Sequence, residues 1–192
     1  LCQEITLPTY PLQHIDDHTG EIALCILSAV NVGKVRSDDE LEELCDLAVR
    51  GLEELIDYQH YPVVAAERAT KARRSLGVGF IGLAHYLAKL GFKYDSQEAW
   101  DAVHGLAESF QYYLLKSSNK LAEEKGWCEN FGRTKYSDGI LPIDTYKKDV
   151  DEICSQPLQH DWESLRASIL EHGLRHSTLS AQMPSESSSV VC

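Results

Sequence analysis

The chain of 192 residues carries 30 acidic against 18 basic side chains, a formal net charge of -12 at pH 7. Such a surface repels phosphate backbones, which argues against nucleic-acid binding. No run approaches the ~18 consecutive apolar residues of a membrane span, and 43% hydrophobic with 25% charged residues is ordinary for one globular domain or a large part of a bigger one.

Leu1 to Leu7 is expected to be extended, ending at Pro8, with a loop from Thr9 to Thr19. Gly20 to Asn31 reads as a buried strand with Ile22, Leu24 and Ile26 on one face and Glu21, Ala23 and Cys25 on the other. Ser37-Asp38-Asp39-Glu40 has the capping-box form. The helix it opens places Leu41, Leu44, Cys45, Ala48, Leu52 and Leu55 along one stripe, its acids forming a solvated face. Pro62 suits the first position of a second helix. Ala84 to Leu90 is a third, closed by Gly91 as a left-handed cap.

Ser96 to Lys125 is a long amphipathic helix with Trp100, Val103, Ala107, Phe110, Leu114 and Leu121 inward, and Tyr112-Tyr113 reads as helix packing. An irregular stretch from Gly132 leads to a helix from Asp161 to His172, then a strand from Leu174 to Met183, then a further helix opening at Pro184-Ser185-Glu186. Strands alternating with long helical connections give an α/β class.

The string Gly77-Val78-Gly79-Phe80-Ile81-Gly82 has the Gly-x-Gly-x-x-Gly form of a dinucleotide-binding turn. That turn follows a strand and opens a helix. Here Ala65 to Arg74 is charged and helix-forming, and no second strand bearing a ribose-binding acid follows. The competing explanation is that small residues permit close approach of a neighbouring segment. A strand ending at Leu76 with a helix opening at Gly82 favours the nicotinamide or flavin reading; a helix running into the glycines opposes it.

The six cysteines (Cys2, Cys25, Cys45, Cys128, Cys154 and Cys192) are scattered without a Cys-x-x-Cys pair. They read as free thiols in a reducing, cytoplasmic setting, with no metal site. His14 and His18 lack further ligands of the right kind, and Cys45 falls on a helical core stripe. In extended backbone Cys2 and Glu4 share a face. A carboxylate beside a thiol disfavours the thiolate, which suits a cysteine that works as S–H, exchanging a hydrogen atom, better than a nucleophile. The local pattern equally admits a buried cysteine beside a surface acid.

Leu1-Cys2-x-Glu4-Ile5, Gly20 to Cys25, Leu27-Ser28-Ala29-x-Asn31, Arg74 to Gly79, Tyr112 to Leu115, Gly139 to Tyr146, and Ser177-Thr178-Leu179-Ser180-Ala181-x-Met183-Pro184-Ser185-Glu186 follow one another along nearly the whole chain. Together they resemble the catalytic large (alpha) subunit of class I ribonucleotide reductases, most closely the aerobic bacterial and phage type. The resemblance implies part of that family's ten-stranded α/β barrel, helix-rich, with a finger-loop strand at the N-terminus. Residues 1–192 would form a partial catalytic barrel domain, without the effector-binding cone, the first half-barrel or the C-terminal tail. An internal segment of a longer chain, inactive by itself, is therefore expected.

By the same resemblance the chain is an enzyme of ribonucleoside-diphosphate reduction. Cys2 carries a thiyl radical, Glu4 accepts the 3′-hydroxyl proton, and Cys25 is one of two redox-active thiols, its partner lying upstream in the family. Pro184, Ser185, Glu186, Ser187 and Ser188 match the loop that holds the substrate diphosphate, for which a hydroxyl-rich helix opening offers free N–H donors. Ser185 as a plain helix cap remains the local alternative. The implied partners are the small (beta) subunit with its metal–tyrosyl radical, a second large subunit, thioredoxin or glutaredoxin as reductant, and the ribonucleoside diphosphate. No cofactor is expected on this segment. Two other readings stand beside this one: a dinucleotide-dependent oxidoreductase built on Gly77–Gly82, and a non-catalytic assembly fragment.

Overall fold

A computed structural model describes residues 4–154, 156–185 and 190–191. Strand β1 (Ile26–Asn31) leads to helix α1 (Asp38–Tyr58), helix α2 (Val64–Arg73) and strand β2 (Leu76–Ile81). Helices α3 (Leu83–Leu90) and α4 (Gln97–Lys125) follow, then short 3-10 turns around α5 (Pro142–Thr145), and finally α6 (Trp162–His172). The two strands are parallel, with Ile26 opposite Leu76 and Asn31 opposite Ile81. The architecture is helix-rich α/β, and among the described residues no helix is long and apolar enough to cross a membrane.

Helix α1 starts where its cap chemistry says. Ser37 Oγ accepts the Glu40 N–H at 3.2 Å, while the Glu40 carboxylate accepts the Arg36 N–H at 2.7 Å, one residue earlier than a strict capping box. Its buried stripe is Leu41, Cys45, Val49, Leu52 and Ile56. Leu55, expected on it, is 45% exposed, and the acid Glu53 is buried instead. Pro62 does not open α2: the cap is Val63, and Pro62 precedes it. Gly91 caps α3 at φ +75°, and Ser96 caps α4, as expected. In α4, Phe110, Leu114 and Leu121 enter the core. Trp100, Val103 and Ala107 instead line a cavity of about 900 Å³ shared with Leu87, His104 and Trp162.

Two expected strands differ for identifiable reasons. Ile26–Asn31 is only the second half of the expected Gly20–Asn31 strand, because β2 begins at Leu76 and offers no backbone to pair residues 20–25. Those residues bond elsewhere: Glu21 exchanges two backbone hydrogen bonds with Tyr10, at 3.0 and 3.1 Å, and Ile22 donates to Ala65 at 3.3 Å. Glu4 to Thr9 form no ladder, and Leu1 to Gln3 lie outside the described residues. The expected Leu174–Met183 strand does run along the free edge of β2, in parallel, but makes a single bridge, Val78 to Ser180. Leu76 donates to Thr178 and Val78 to Leu179, so the register slips by one residue. Further along, the Gln182 side-chain amide, not its backbone, bonds Phe80 O at 2.7 Å.

The core lies on one face of this small sheet. Leu76, Val78 and Val30 are buried with Leu114, Leu115 and Ile56, and Phe80 meets Phe110 edge to face at 5.4 Å. The opposite face carries Leu27, which is 44% exposed, together with Gly77 and Gly79.

A buried carboxylate ties these elements together. Glu53 of α1 is fully enclosed and accepts three hydrogen bonds: Arg74 Nε at 2.7 Å, Arg175 Nε at 2.7 Å and His176 Nε2 at 3.0 Å. Arg74 also reaches Asp57 at 2.7 Å from a left-handed backbone, φ +49°. Ser118 Oγ accepts the His176 N–H at 3.2 Å and lies 2.9 Å from His176 Nδ1, an arrangement that suits a neutral imidazole donating through Nε2. Burial lowers the tendency of His176 to take a second proton, and the two arginines add to that effect. Burial opposes ionisation of Glu53, but His176, Arg74 and Arg175 together outweigh it and hold its carboxyl well below the usual range.

A depressed carboxyl contributes stability that is present above its unfolded-state value of about 4.3 and is lost as pH falls through the lower folded value. Glu53→Gln is expected to flatten the acid limb of the stability curve and to cost about 3–5 kcal/mol near neutrality, since it leaves buried cations uncompensated. Denaturant titrations of both proteins between pH 3 and 7 check this; parallel acid limbs would count against it.

Candidate active site

The face of β2 away from the helices is where the chemistry-bearing residues gather. Cys25, at the head of β1, turns its sulfur over Gly77: a Cβ built on that glycine would stand 3.0 Å from Cys25 Sγ, 2.5 Å from Leu27 Cδ2 and 3.1 Å from Ala181 Cβ. One step along, a Cβ on Gly79 would stand 2.4 Å from Ala181 O and 2.9 Å from Met183 Sδ. Cys25 and the chain leading into Pro184-Ser185 thus cross the same bare strip of backbone. Ser180 lies beside Val78, and Pro184 follows in the same segment beyond that single bridge.

Burial and then the Glu4 carboxylate push the Cys25 thiol up to about 11. It is therefore S–H, not thiolate, at neutral pH. Burial also raises Cys45, to about 12, and Cys128, to about 11. Acidity does not single out Cys25; accessibility does. Cys25 is half-buried, whereas Cys45, Cys128 and Cys154 are 0%, 1% and 4% exposed.

Pro184 is exposed and Ser185 partly so. Ser185 has φ +46°, a left-handed conformation that costs a non-glycine residue roughly 1 kcal/mol or more. Cys2, Glu186, Ser187 and Ser188 lie outside the described residues. Glu4 and Cys25 are brought within electrostatic reach of each other, a relation that the pairing of Glu4 with Cys2 did not anticipate.

The glycine string is not a dinucleotide turn. Gly77 and Gly79 lie inside β2, preceded by α2, and only Gly82, φ +77°, stands at the cap of α3. No backbone N–H cradle forms, because Leu76 and Val78 donate to Thr178 and Leu179. Near His14 and His18, Asp17 is occupied in closing its own loop, accepting Gln13 N–H at 2.8 Å and Thr19 N–H at 2.6 Å. Among the described residues no cluster of three or more His, Cys, Asp or Glu could hold a metal ion. Tyr112 stacks on His160 at 4.4 Å, as a packing residue.

Two polar centres had no sign in the sequence. Glu53, described above, sits among acids of a helix that reads as solvated. Glu108 Oε1 gathers the N–H groups of Gln159 at 2.8 Å, His160 at 3.1 Å and Trp162 Nε1 at 3.0 Å, pinning the segment before α6. Acids spaced like surface residues carry no periodic mark of burial.

If Glu4 adds to the effect of burial on Cys25, Glu4→Gln leaves burial alone acting and raises the thiolate fraction. Peptide-resolved alkylation of Cys25 at pH 8 is expected to quicken about two- to fivefold. An unchanged rate would show that the carboxylate does not act on this sulfur.

The family model described as ribonucleotide reductase, barrel domain, matches residues 1–192. The chain is 62% identical over 191 residues to a ribonucleoside-diphosphate reductase subunit alpha of Haemophilus influenzae, covering all of this chain and 25% of that protein. It is 58% identical over 191 residues to the ribonucleoside-diphosphate reductase 1 subunit alpha of Escherichia coli, again covering 25% of it. It is 45% identical over 193 residues to the subunit alpha of Enterobacteria phage T4, with the same coverage. The chain therefore spans about a quarter of the length of these relatives. A match along every residue, with identities this high, shows that the chain belongs to the ribonucleotide reductase barrel-domain family.

Proposed function

We propose that this chain is part of the machinery that reduces ribonucleoside diphosphates to their 2′-deoxy forms, contributing a portion of the ten-stranded catalytic barrel with its N-terminal residues as the finger loop. The observation that carries the reading is the crossing of one open sheet face by Cys25 and by the chain entering Pro184-Ser185, with the Glu4 carboxylate adding to the effect of burial in keeping the thiol protonated. The sugar lies at the Cys25 end of that face and the phosphates at the Ser185 end.

In this reading Cys2 carries the thiyl radical and takes the ribose 3′ hydrogen, and Glu4 accepts the 3′-hydroxyl proton. A cysteine kept as S–H is the right species for Cys25. It delivers hydrogen toward the 2′ position as the 2′-hydroxyl leaves as water, and it closes a disulfide with a second thiol from elsewhere in the subunit. The two electrons of the reduction come from that thiol pair. Thioredoxin or glutaredoxin returns them. The small subunit supplies the oxidising equivalent from its metal–tyrosyl radical, and the large subunit pairs with a second copy of itself. Pro184 to Ser188 hold the diphosphate through backbone N–H groups and hydroxyls. Glu186 is unfavourable beside phosphate by charge, so its main chain or a ribose contact serves there.

In the full-length large subunit, assayed with the small subunit and a dithiol, Cys2→Ser is expected to abolish turnover. Binding of the ribonucleoside diphosphate should stay within about threefold of the parent, since a sulfur-to-oxygen change removes the radical without enlarging the site. Full activity in Cys2→Ser would remove the radical role. Lost activity together with lost binding would point to a structural defect.

A further inference from the structure

The glycine string is left without a task once dinucleotide binding is set aside, yet its first two glycines touch the two halves of the proposed site separately. We propose that Gly77 and Gly79 are positioning residues with different duties: Gly77 seats the Cys25 sulfur, and Gly79 seats the chain that delivers the diphosphate loop. The inference rests on the functional reading above and deepens it.

The geometry divides cleanly. At Gly77 an added Cβ meets side chains: Leu27 Cδ2 at 2.5 Å, Cys25 Sγ at 3.0 Å and Ala181 Cβ at 3.1 Å. Leu27 is 44% exposed and its methyl can swing aside. The sulfur is one bond from Cβ on the residue just before β1, whose register is fixed with Ile26 opposite Leu76 and Leu27 opposite Gly77. It yields by a few tenths of an ångström through a turn about χ1. A thiol that must meet both a ribose carbon and a partner sulfur is sensitive to such a shift, because rate falls steeply with misplacement of a reacting atom.

At Gly79 an added Cβ meets backbone, Ala181 O at 2.4 Å, and the Met183 thioether at 2.9 and 3.0 Å. That carbonyl sits on main chain held against β2, where Ala181 N–H donates to Val78 O at 3.2 Å. The whole segment must lift from β2, carrying Pro184 and Ser185 with it. Ser185 is already in a left-handed turn, φ +46°, so the loop is displaced at its root. Both glycines have extended backbone within β2; what they provide is the missing Cβ, not a special φ.

The test is a kcat-against-KM split in the full-length enzyme. Gly77→Ala is expected to lower kcat at least tenfold, with KM for the ribonucleoside diphosphate within about twofold of the parent. Gly79→Ala is expected to raise KM at least tenfold, with kcat within about threefold. The double variant Leu27→Ala/Gly77→Ala removes the largest overlap and isolates the sulfur contact. It should keep the kcat defect, and recovery to parental kcat would assign the loss to Leu27 and overturn the role of Gly77. Parental kinetics in both single variants would overturn the proposal. So would parallel losses of kcat and affinity that track thermal stability, or failure of the double variant to fold, since either assigns the glycines to general packing. Cys25→Ser, run beside them, separates the layers. If it turns over normally, the functional reading itself fails; if it is inactive while Gly77→Ala is normal, only the positioning role fails.

Discussion

A carboxylate shut away from water persists in ionised form only when cations and hydrogen bonds replace its hydration, and Glu53 has three such partners. Their places in the chain matter as much as their charge. Arg74 is the residue between α2 and β2, and Arg175-His176 stand where the chain leaves α6 for the free edge of β2. One acid on α1 therefore fixes the starting points of both parallel lines. Arg74 accepts a left-handed backbone to reach it, and that turn redirects the chain from helix to strand. With both lines rooted at the same carboxylate, Ala181 and Met183 arrive opposite Gly79.

From that anchoring follows a sheet with two unlike faces. Helices α1 and α4 cover Val30, Leu76, Val78 and Phe80, so burial of apolar surface secures one side. The other side is left thin by two glycines, and what approaches it is polar or reactive: a thiol, a carboxylate field, and a turn held in an uncommon conformation. Parallel strands place successive side chains on alternate faces, so a single shift of register would exchange the sulfur for Leu24 or Ile26. The buried ion cluster and the site are thus one construction, with the cluster setting register and the register setting which group meets the open face.

Local signals in the chain were legible where local physics decides. Ser37, Ser96 and Asp161 cap helices through their own side chains, and Gly91 ends one with a positive φ. The stripe of α1 followed its periodicity except at Leu55, where Glu53 took the inward place. The proposed site residues Cys25 and Pro184-Ser185 were read from motifs spread along the chain, not from any spacing that announces their chemistry. The glycine string pointed to a phosphate turn because its letters are the same whether the glycines open a helix or thin a strand. Strand ends were misjudged where the partner, not the strand, sets the length: residues 20–25 are strand-like in composition, but β2 begins only at Leu76, after the Arg74 turn.

By itself the sequence determined the α/β class, the long helices α1 and α4, and the ordered motifs that place the chain in its family. These depend on contacts within a few residues or on inherited order along the chain. The tertiary structure alone decided that Glu53 is buried among cations, that the glycines face a sulfur and a carbonyl, and that Glu4 comes within electrostatic reach of Cys25. Each of those facts joins residues from about twenty to more than a hundred positions apart. The free energy of an ion pair or a close packing contact depends on distance and on exclusion of water, and neither quantity exists until distant segments have met.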